Sequence, residues 1–507
     1  MKPFLTCLLV LSALVMLAGC GGSSAPPIPP PNPNPVGFTA ANLNGNYVFR
    51  LKGSNYGTGS IFSAIGFFAA DGAGNITSGQ QDTNDSIAGA STVNITGGTY
   101  TVGVDGRGHV TFTYATAPTT GATFDFVLNS TSVPSAGGQM IGFTAGDIAT
   151  GVLEQQQTYG SGSIDSTYVL LWSGYVPGGG GELLLTTRVG ALTLSGNAHT
   201  ATAIFDENLN GTFTSPAATV TVTTPPTLAT HGRGTLQLVP GLNGAGSTSN
   251  VVFYAVGPNR LEFIVTDTSS RVVGWGDRQT TPVTPAGNFA FVIYGSTLPW
   301  ASGFSFAEVG SFHLDQTVPA TAITSGLEDV AEGGYSFPLI AFTGSVDPAF
   351  NPAIGRQLGE FQSAGRTVTF VLWYSDSQHA VMMTKDAGLL ESGMVQQRQL
   401  AIPANATVTG NYALNLWGVS GCCLLAWDGQ VHADGAGTFV GLEDYNYGGG
   451  LVTGVAASGS YSIDATTGRG TGTFGRTPVV LYPLDGNTVF VMTSEGSVVT
   501  GSLLLQH

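Results

Sequence analysis

A repeat restricts this chain more than any other feature. Four segments open alike: Gly45-Asn46-Tyr47-Val48-Phe49, Ser166-Thr167-Tyr168-Val169-Leu170, Gly287-Asn288-Phe289-Ala290-Phe291 and Gly410-Asn411-Tyr412-Ala413-Leu414. The aromatic positions 47, 168, 289 and 412 are spaced by 121, 121 and 123 residues. A fixed period of this kind means units that share one fold.

Further landmarks recur in the same order. An Asp falls near the end of an early hairpin, at Asp82, Asp206, Asp329 and Asp444, and in three copies an Asn follows two places later, at Asn84, Asn208 and Asn446. Gly-Arg-Gly comes next, at Gly106-Arg107-Gly108, Gly232-Arg233-Gly234 and Gly468-Arg469-Gly470, weakened in the third copy to Gly365-Arg366-Thr367. An aromatic-rich strand follows, and each copy closes with Gly, a few residues and Gln, as in Gly151 to Gln155 and Gly501 to Gln506.

Thr, Val, Tyr and Phe alternate in short runs between Gly, Asn and Asp, the pattern of strands and tight turns. Asp71-Gly72 and Asp434-Gly435 lie between such runs, where a two-residue hairpin turn needs positive φ. No segment after residue 37 carries a sustained helical period. The expected class is therefore all-β: four tandem antiparallel meanders of about eight strands each. Eight such strands close into a small barrel and leave no free edge; a two-sheet sandwich is the alternative.

The first residues are an address. Lys2, an apolar run from Phe4 to Leu17, and small residues before Cys20 form a secretory signal too short to span a bilayer. Leu17-Ala18-Gly19-Cys20 resembles the lipobox of bacterial lipoproteins. That resemblance implies lipid on the Cys20 sulfur, palmitate among its acyl chains, and cleavage before this residue. Gly21 after the cysteine, by the same resemblance, implies sorting to the outer membrane. Gly21 to Ser24 and the Pro-rich stretch to Val36 read as a tether. The expected boundaries are 1–19 signal peptide, 20–42 lipidated cysteine and linker, and repeats at 43–160, 161–283, 284–400 and 401–507. The whole chain is similar to uncharacterised Gly-rich tandem-repeat lipoproteins of bacterial envelopes, and the unit resembles lipocalin and avidin barrels in size and strand count only. Neither resemblance implies an activity.

Only 9% of residues are charged, while 42% are hydrophobic, enough for packed cores. Removing residues 1–19 takes away Lys2 and no acid, so the net charge moves from −16 to −17. This balance argues against nucleic acid as a partner. The expected partners are the membrane, through the lipid, and an envelope or surface protein.

Because charge is scarce, the repeated Asp and Arg are the first candidates. Each copy is expected to pair them internally, Asp82 with Arg107, Asp206 with Arg233, Asp329 with Arg366 and Asp444 with Arg469, as a structural tie. Asp82-Thr83-Asn84-Asp85 also suggests calcium, but lacks the spacing and closing Glu of an EF-hand loop. The seven histidines are scattered without zinc-like spacing. Cys422 and Cys423, adjacent and exposed to oxidation outside the cytoplasm, are candidates for a strained vicinal disulfide; the alternative is that they stay buried and reduced in the strand before Trp427. No Gly-x-Ser-x-Gly elbow has identifiable partners, and tryptophans such as Trp172, Trp300 and Trp417 read as core before sugar-stacking platforms. The expectation is a non-enzymatic surface protein without cofactor, in a structural, adhesive or partner-binding role. The alternative is a small apolar or sugar ligand inside the barrels.

Overall fold

The computed structural model describes residues 37–507, apart from 117–121, 159, 179–182, 196–199, 216–219, 223–227, 240–247, 268–269, 281–284, 299–303, 316–320, 349, 351–353, 364 and 401–402. Cys20, the tether and Trp300 therefore lie outside the described residues. Among the described residues no helix is long and apolar enough to cross a membrane.

Each copy is an antiparallel meander. In copy 1 the eight strands are Asn44–Asn55, Ser60–Asp71, Asn75–Asp85, Gly89–Val102, Arg107–Tyr114, Thr123–Leu128, Gly137–Gly142 and Asp147–Gln155, and the eighth pairs with the first to close a barrel. Copies 3 (Gly287–Thr297 to Leu389–Gln397) and 4 (Thr409–Ser420 to Ser497–Leu505) close in the same way. The barrel, not the sandwich, is thus the form of these three. Copy 2 (Ser166–Pro177 to Arg271–Arg278) is a nine-stranded sheet in the same order. Its wall thins at Val220–Val222, which joins each neighbouring strand through only two residue pairs.

The period of two puts one side of each strand into the barrel. Tyr47, Phe49 and Leu51 point in, while Val48, Arg50 and Lys52 point out. Phe49, Phe68, Phe112 and Phe124 fill barrel 1 with ring centroids 5.2–6.3 Å apart. Each such side chain contributes about 1.5–3 kcal/mol by leaving water.

The repeated aromatic closes one end, the base. Tyr47 donates its hydroxyl to the carbonyls of Asn42 and Ser135, both at 3.1 Å, and so holds the short 3-10 turn Ala40–Asn42 across the barrel floor. Tyr412 bonds the Gly486 carbonyl at 2.8 Å, and Tyr168 that of Pro258 at 3.0 Å. The chain enters at this base: the Gly37 amide bonds the carbonyl of Val104, in the turn after the fourth strand. The opposite end, the mouth, carries the turns after the first, third, fifth and seventh strands.

The hairpins after Asp71 and Asp434 form as expected, but with three loop residues, not two. Gly72-Ala73-Gly74 has both glycines at positive φ, and Asp71 accepts from the amides of Ala73 and Asn75. In copy 4 the amides of Ala436, Gly437 and Thr438 converge on Asp434 and hold its carboxyl down at about 2.

The copies pack in a closed circuit. The first two strands of each copy lie on the last three strands of the next, and copy 4 lies in the same way on copy 1. Each contact has its own apolar core: Val48, Ile65 and Phe67 against Val252, Tyr254 and Ile264 between copies 1 and 2; Val169 and Ala191 against Val371, Trp373 and Met383 between copies 2 and 3. Ala290, Val292 and Val309 meet Tyr482, Phe490 and Met492 between copies 3 and 4, and Ala426 and Trp417 meet Ile141 and Ile148 between copies 4 and 1. A head-to-tail contact that returns to its start is a ring.

Candidate functional site

The repeated Asp and Arg do not pair within a copy. Each Asp lies on a third strand with its side chain turned outward, so it meets the Arg of the following copy. Arg233 of copy 2 reaches Asp82 of copy 1 through Nε at 2.9 Å and Nη2 at 2.7 Å. Arg356 holds Asp206 at 2.7 and 2.9 Å, and Arg469 holds Asp329 at 2.6 and 2.5 Å. Arg107 of copy 1 closes the ring by donating Nη1 to both Asp444 oxygens, at 2.9 and 2.8 Å, while its Nε stays on Asp105 at 2.9 Å. The expected pairs Asp82–Arg107, Asp206–Arg233, Asp329–Arg366 and Asp444–Arg469 are therefore corrected, each to a neighbour one copy on.

Arg366 is not the third member of the set. It begins the sixth strand of copy 3 and is exposed, whereas Arg356 begins the fifth, as Arg107 does in copy 1, and Arg233 begins Arg233–Val239 in copy 2. The glycine before each junction Arg has positive φ: Gly106 at 85°, Gly232 at 75°, Gly355 at 70° and Gly468 at 68°. The glycine after it supports a ring: a Cβ on Gly108 or Gly234 would lie 2.3 or 2.2 Å from Phe126 or Phe253. The signal in the sequence was thus Gly355-Arg356, which also keeps a more even spacing along the chain.

A third donor completes three junctions. The Tyr254 hydroxyl, the Trp373 indole N–H and the Tyr482 hydroxyl reach Asp82, Asp206 and Asp329 at 2.7, 2.8 and 2.7 Å. Each stands directly across the ladder from the Arg, or at the homologous step. In copy 1 the place is taken by Val127. The Asp82 hydrogen bonds, above all, hold the Arg233 guanidinium charged against the burial that opposes it.

The other repeated polar residues serve the same contacts. Asn84 Nδ2 donates to the carbonyls of Val265 and Asp267 at 2.8 and 2.7 Å, Asn208 to Thr384 and Leu389, and Asn446 to Gly142 and Asp147. Gln156, not Gln155, bridges to His231 and Ala255, Gln279 to Ile354 and Tyr374, and Gln506 to Asp105 and Leu128. In copy 3 Arg398 does this work, on Pro483 and Gly468. The carboxylates considered for calcium are engaged, Asp82 in its ion pair and Asp85 with Ser60, Ile87 and Ala88, while the Asn84 Oδ1 is buried without a partner. Among the described residues no group of three His, Cys, Asp or Glu is arranged to hold a metal.

While the outer faces repeat, the inner walls near the mouths diverge. One inward position of the second strand, opposite the residue four places after the repeated aromatic, is Ala64, Arg188, Glu308 or Trp427 in copies 1 to 4. Its inward neighbour on the third strand, opposite a glycine, is Gln81, Phe205, Glu328 or Glu443. Copies 1 and 2 satisfy these groups internally: Tyr114 donates to Gln81 at 2.7 Å, and Arg188 pairs with Glu207 at 2.8 Å.

Barrels 3 and 4 instead hold cavities. That of barrel 3, about 270 Å³, is lined by Glu308, Glu328, Phe337, Phe361, Ser363 and Arg366 among others. Ser363 donates to Glu328 at 2.6 Å, while both oxygens of the fully buried Glu391 lack a partner. Burial, then the charge of Glu328, pushes the Glu308 carboxyl well above its usual range; burial does the same to Glu391. The cavity of barrel 4, about 400 Å³, is lined by Trp427, Glu443, Tyr445, Tyr447, Phe474 and Arg476 among others. Near its rim Cys422 and Cys423 end the first hairpin of copy 4 with their sulfurs 2.6 Å apart, the first exposed and the second buried.

No family model matches the chain, and no curated protein is similar to it. Among solved structures it has a likeness to transferrin binding protein B of Neisseria meningitidis, at 10% identity and a TM-score of 0.18 over 75% of this chain and 82% of that one. A double mutant of transferrin binding protein B from Haemophilus parasuis gives 10% and 0.17, over 72% and 82%. Kievitone hydratase of Nectria haematococca gives 8% and 0.17, over 74% and 94%. Scores this low establish no shared fold, and no functional statement follows from them.

Proposed function

We propose that this chain is a lipid-anchored envelope protein, held by Cys20, whose ring of four β copies is a rigid platform that offers its mouths to a partner. One observation carries the reading: the chain enters at the base of barrel 1, and the large exposed apolar residues of the mouth turns lie at the other end. Tyr56 and Ile87 of copy 1, Phe304, Tyr335 and Phe337 of copy 3 and Tyr447 of copy 4 all stand on turns of the mouth side or the strands next to them. Among the described residues the large exposed aromatics all stand on this side, whereas the aliphatic Val104, Val133 and Leu400 are exposed away from it; aromatics grouped on one side mark an interaction surface. The lipobox-like residues support the anchor, and Gly21 supports the outer membrane. The reading assigns the chain no reaction of its own.

Two measurements test it. In cells fed a palmitate analogue, the wild type is expected to be labelled and membrane-bound, and Cys20→Ser neither; a soluble, unlabelled wild type removes the anchor. A photo-crosslinking residue at Tyr335 is expected to trap a partner in the envelope, and the same residue at Val104, on the base, to trap none. The reverse result would overturn the outward mouths. Export is also expected to oxidise Cys422 and Cys423 to the vicinal disulfide; two alkylatable thiols in denatured, unreduced protein would exclude it. A second reading, a small ligand inside the barrels, is favoured by the cavities of copies 3 and 4.

A further inference from the structure

We infer that the mouth of barrel 4 is a binding site for a neutral, hydroxylated ring of monosaccharide size, stacked on Trp427 and hydrogen-bonded by its indole N–H and by Glu443. This deepens the second reading above and does not rest on the anchor.

The cavity of about 400 Å³ lies in the range of small-ligand sites. Trp427 and Glu443 occupy inward positions on the second and third strands of copy 4, where Trp427 faces Tyr445 and Glu443 faces Gly429. They are therefore diagonal neighbours on one wall. Both are 6% exposed. The indole nitrogen of Trp427 and one carboxyl oxygen of Glu443 are buried without a hydrogen-bond partner. An unpaired buried polar atom is unfavourable, a cost copies 1 and 2 avoid at the same positions. A ligand that supplies the missing partners removes it.

The lining selects the chemistry. Trp427 and Phe474 meet edge to face at 6.2 Å, and Phe474 packs on Phe439 at 4.8 Å, which makes an apolar floor. Tyr445 and Leu425 continue the wall. A flat apolar ring face fits there. The indole N–H needs an acceptor. Burial, then the Asp444 charge, pushes the Glu443 carboxyl up to about 8, so at neutral pH it is an acid that both donates and accepts. Adjacent hydroxyls answer both groups. Arg476 in the same lining disfavours a cation.

The test is saturation-transfer NMR on the exported chain with methyl glycosides of glucose, galactose and N-acetylglucosamine as probes, each set against benzyltrimethylammonium. Transfer to at least one glycoside is expected. Trp427→Phe keeps the stacking but loses the donor, and is expected to weaken that binding by about tenfold. Glu443→Leu removes both the donor and the acceptor, and is expected to weaken it by a similar factor. Thermal melting of the variants verifies that they fold. No transfer to any glycoside would overturn the proposal. So would preferential binding of the ammonium probe that strengthens as pH rises through 8 and disappears in Glu443→Gln, since that describes a cation paired with a carboxylate.

Discussion

Arg469 and Asp329 show what a single junction pair does. Their side chains are 8% and 1% exposed, they share two hydrogen bonds, and Tyr482 adds a third to the same carboxylate. Removing one partner of a buried pair strands the other, at about 3–5 kcal/mol. Arg469→Met is therefore expected to lower the denaturation midpoint by a corresponding amount. Arg469→Met with Asp329→Asn is expected to recover a large part, because no charge is then left buried. A double variant as unstable as the single one would show that the pair acts through packing alone. The asparagines are smaller versions of the same device, and copy 3 does without one: Ala331 stands two places after Asp329.

At the scale of the strand, alternation sorts residues into two populations. Outward residues of the third strand build junctions, and their inward neighbours tune barrel interiors. In barrel 3 the strands Ser305–Asp315, Thr321–Glu332 and Leu389–Gln397 bring Glu308, Glu328 and Glu391 to one end. Arg366 opposes the shifts of Glu308 and Glu391, and Glu332 and Asp386 add to that of Glu391. Unfolded, these carboxyls lose their protons near 4.5; folded, Glu308 and Glu391 keep them well above that. The folded state thus binds more protons, and its stability, full below pH 4.5, falls as pH rises through the raised values, by up to about 1.4 kcal/mol per group per pH unit. Hydrogen exchange in Ser305–Asp315 and Leu389–Gln397 is expected to be faster at about pH 8 than at about pH 5, beyond the intrinsic change. Glu308→Gln is expected to reduce that difference. An unchanged difference would place the pH response elsewhere.

At the scale of the molecule, the ring shares its stability among four unequal contacts. The contact between copies 4 and 1 has the smallest apolar core, no aromatic donor on Asp444, and a buried acid, Asp428, with both oxygens unpartnered. Burial, then the charges of Asp444 and Asp125, pushes that carboxyl well above its usual range. Deleting copy 4 frees the Asp329 face of copy 3 and the Arg107 face of copy 1. These faces belong to the two sides of one kind of junction, so truncated molecules can join head to tail. Light scattering of residues 37–400 is expected to show concentration-dependent association. A monomer at all concentrations would mean that the junctions are too specific to exchange.

The sequence alone determined the number of copies, their all-β class, the strand alternation and the Asp-Gly turns. These follow from local backbone preference and from a period that survives divergence. It also marked most junction residues, because charged side chains are rare here and, like several amides, recur at fixed places. It did not determine whom they meet. In a repeat, the distance along the chain from Asp82 to the Arg of its own copy and to that of the next carries no geometric preference. Only the outward turn of the third strand and the closure of the ring decide for the neighbour. The same limit explains Arg366, whose resemblance to the motif was local while the step of the meander was not. The pockets were the least legible part. Glu443 and Glu328 occupy equivalent positions, yet one has Ser363 within reach and the other has no partner. That depends on which side chains lie across the barrel, a matter of three-dimensional packing that spacing along the chain does not encode.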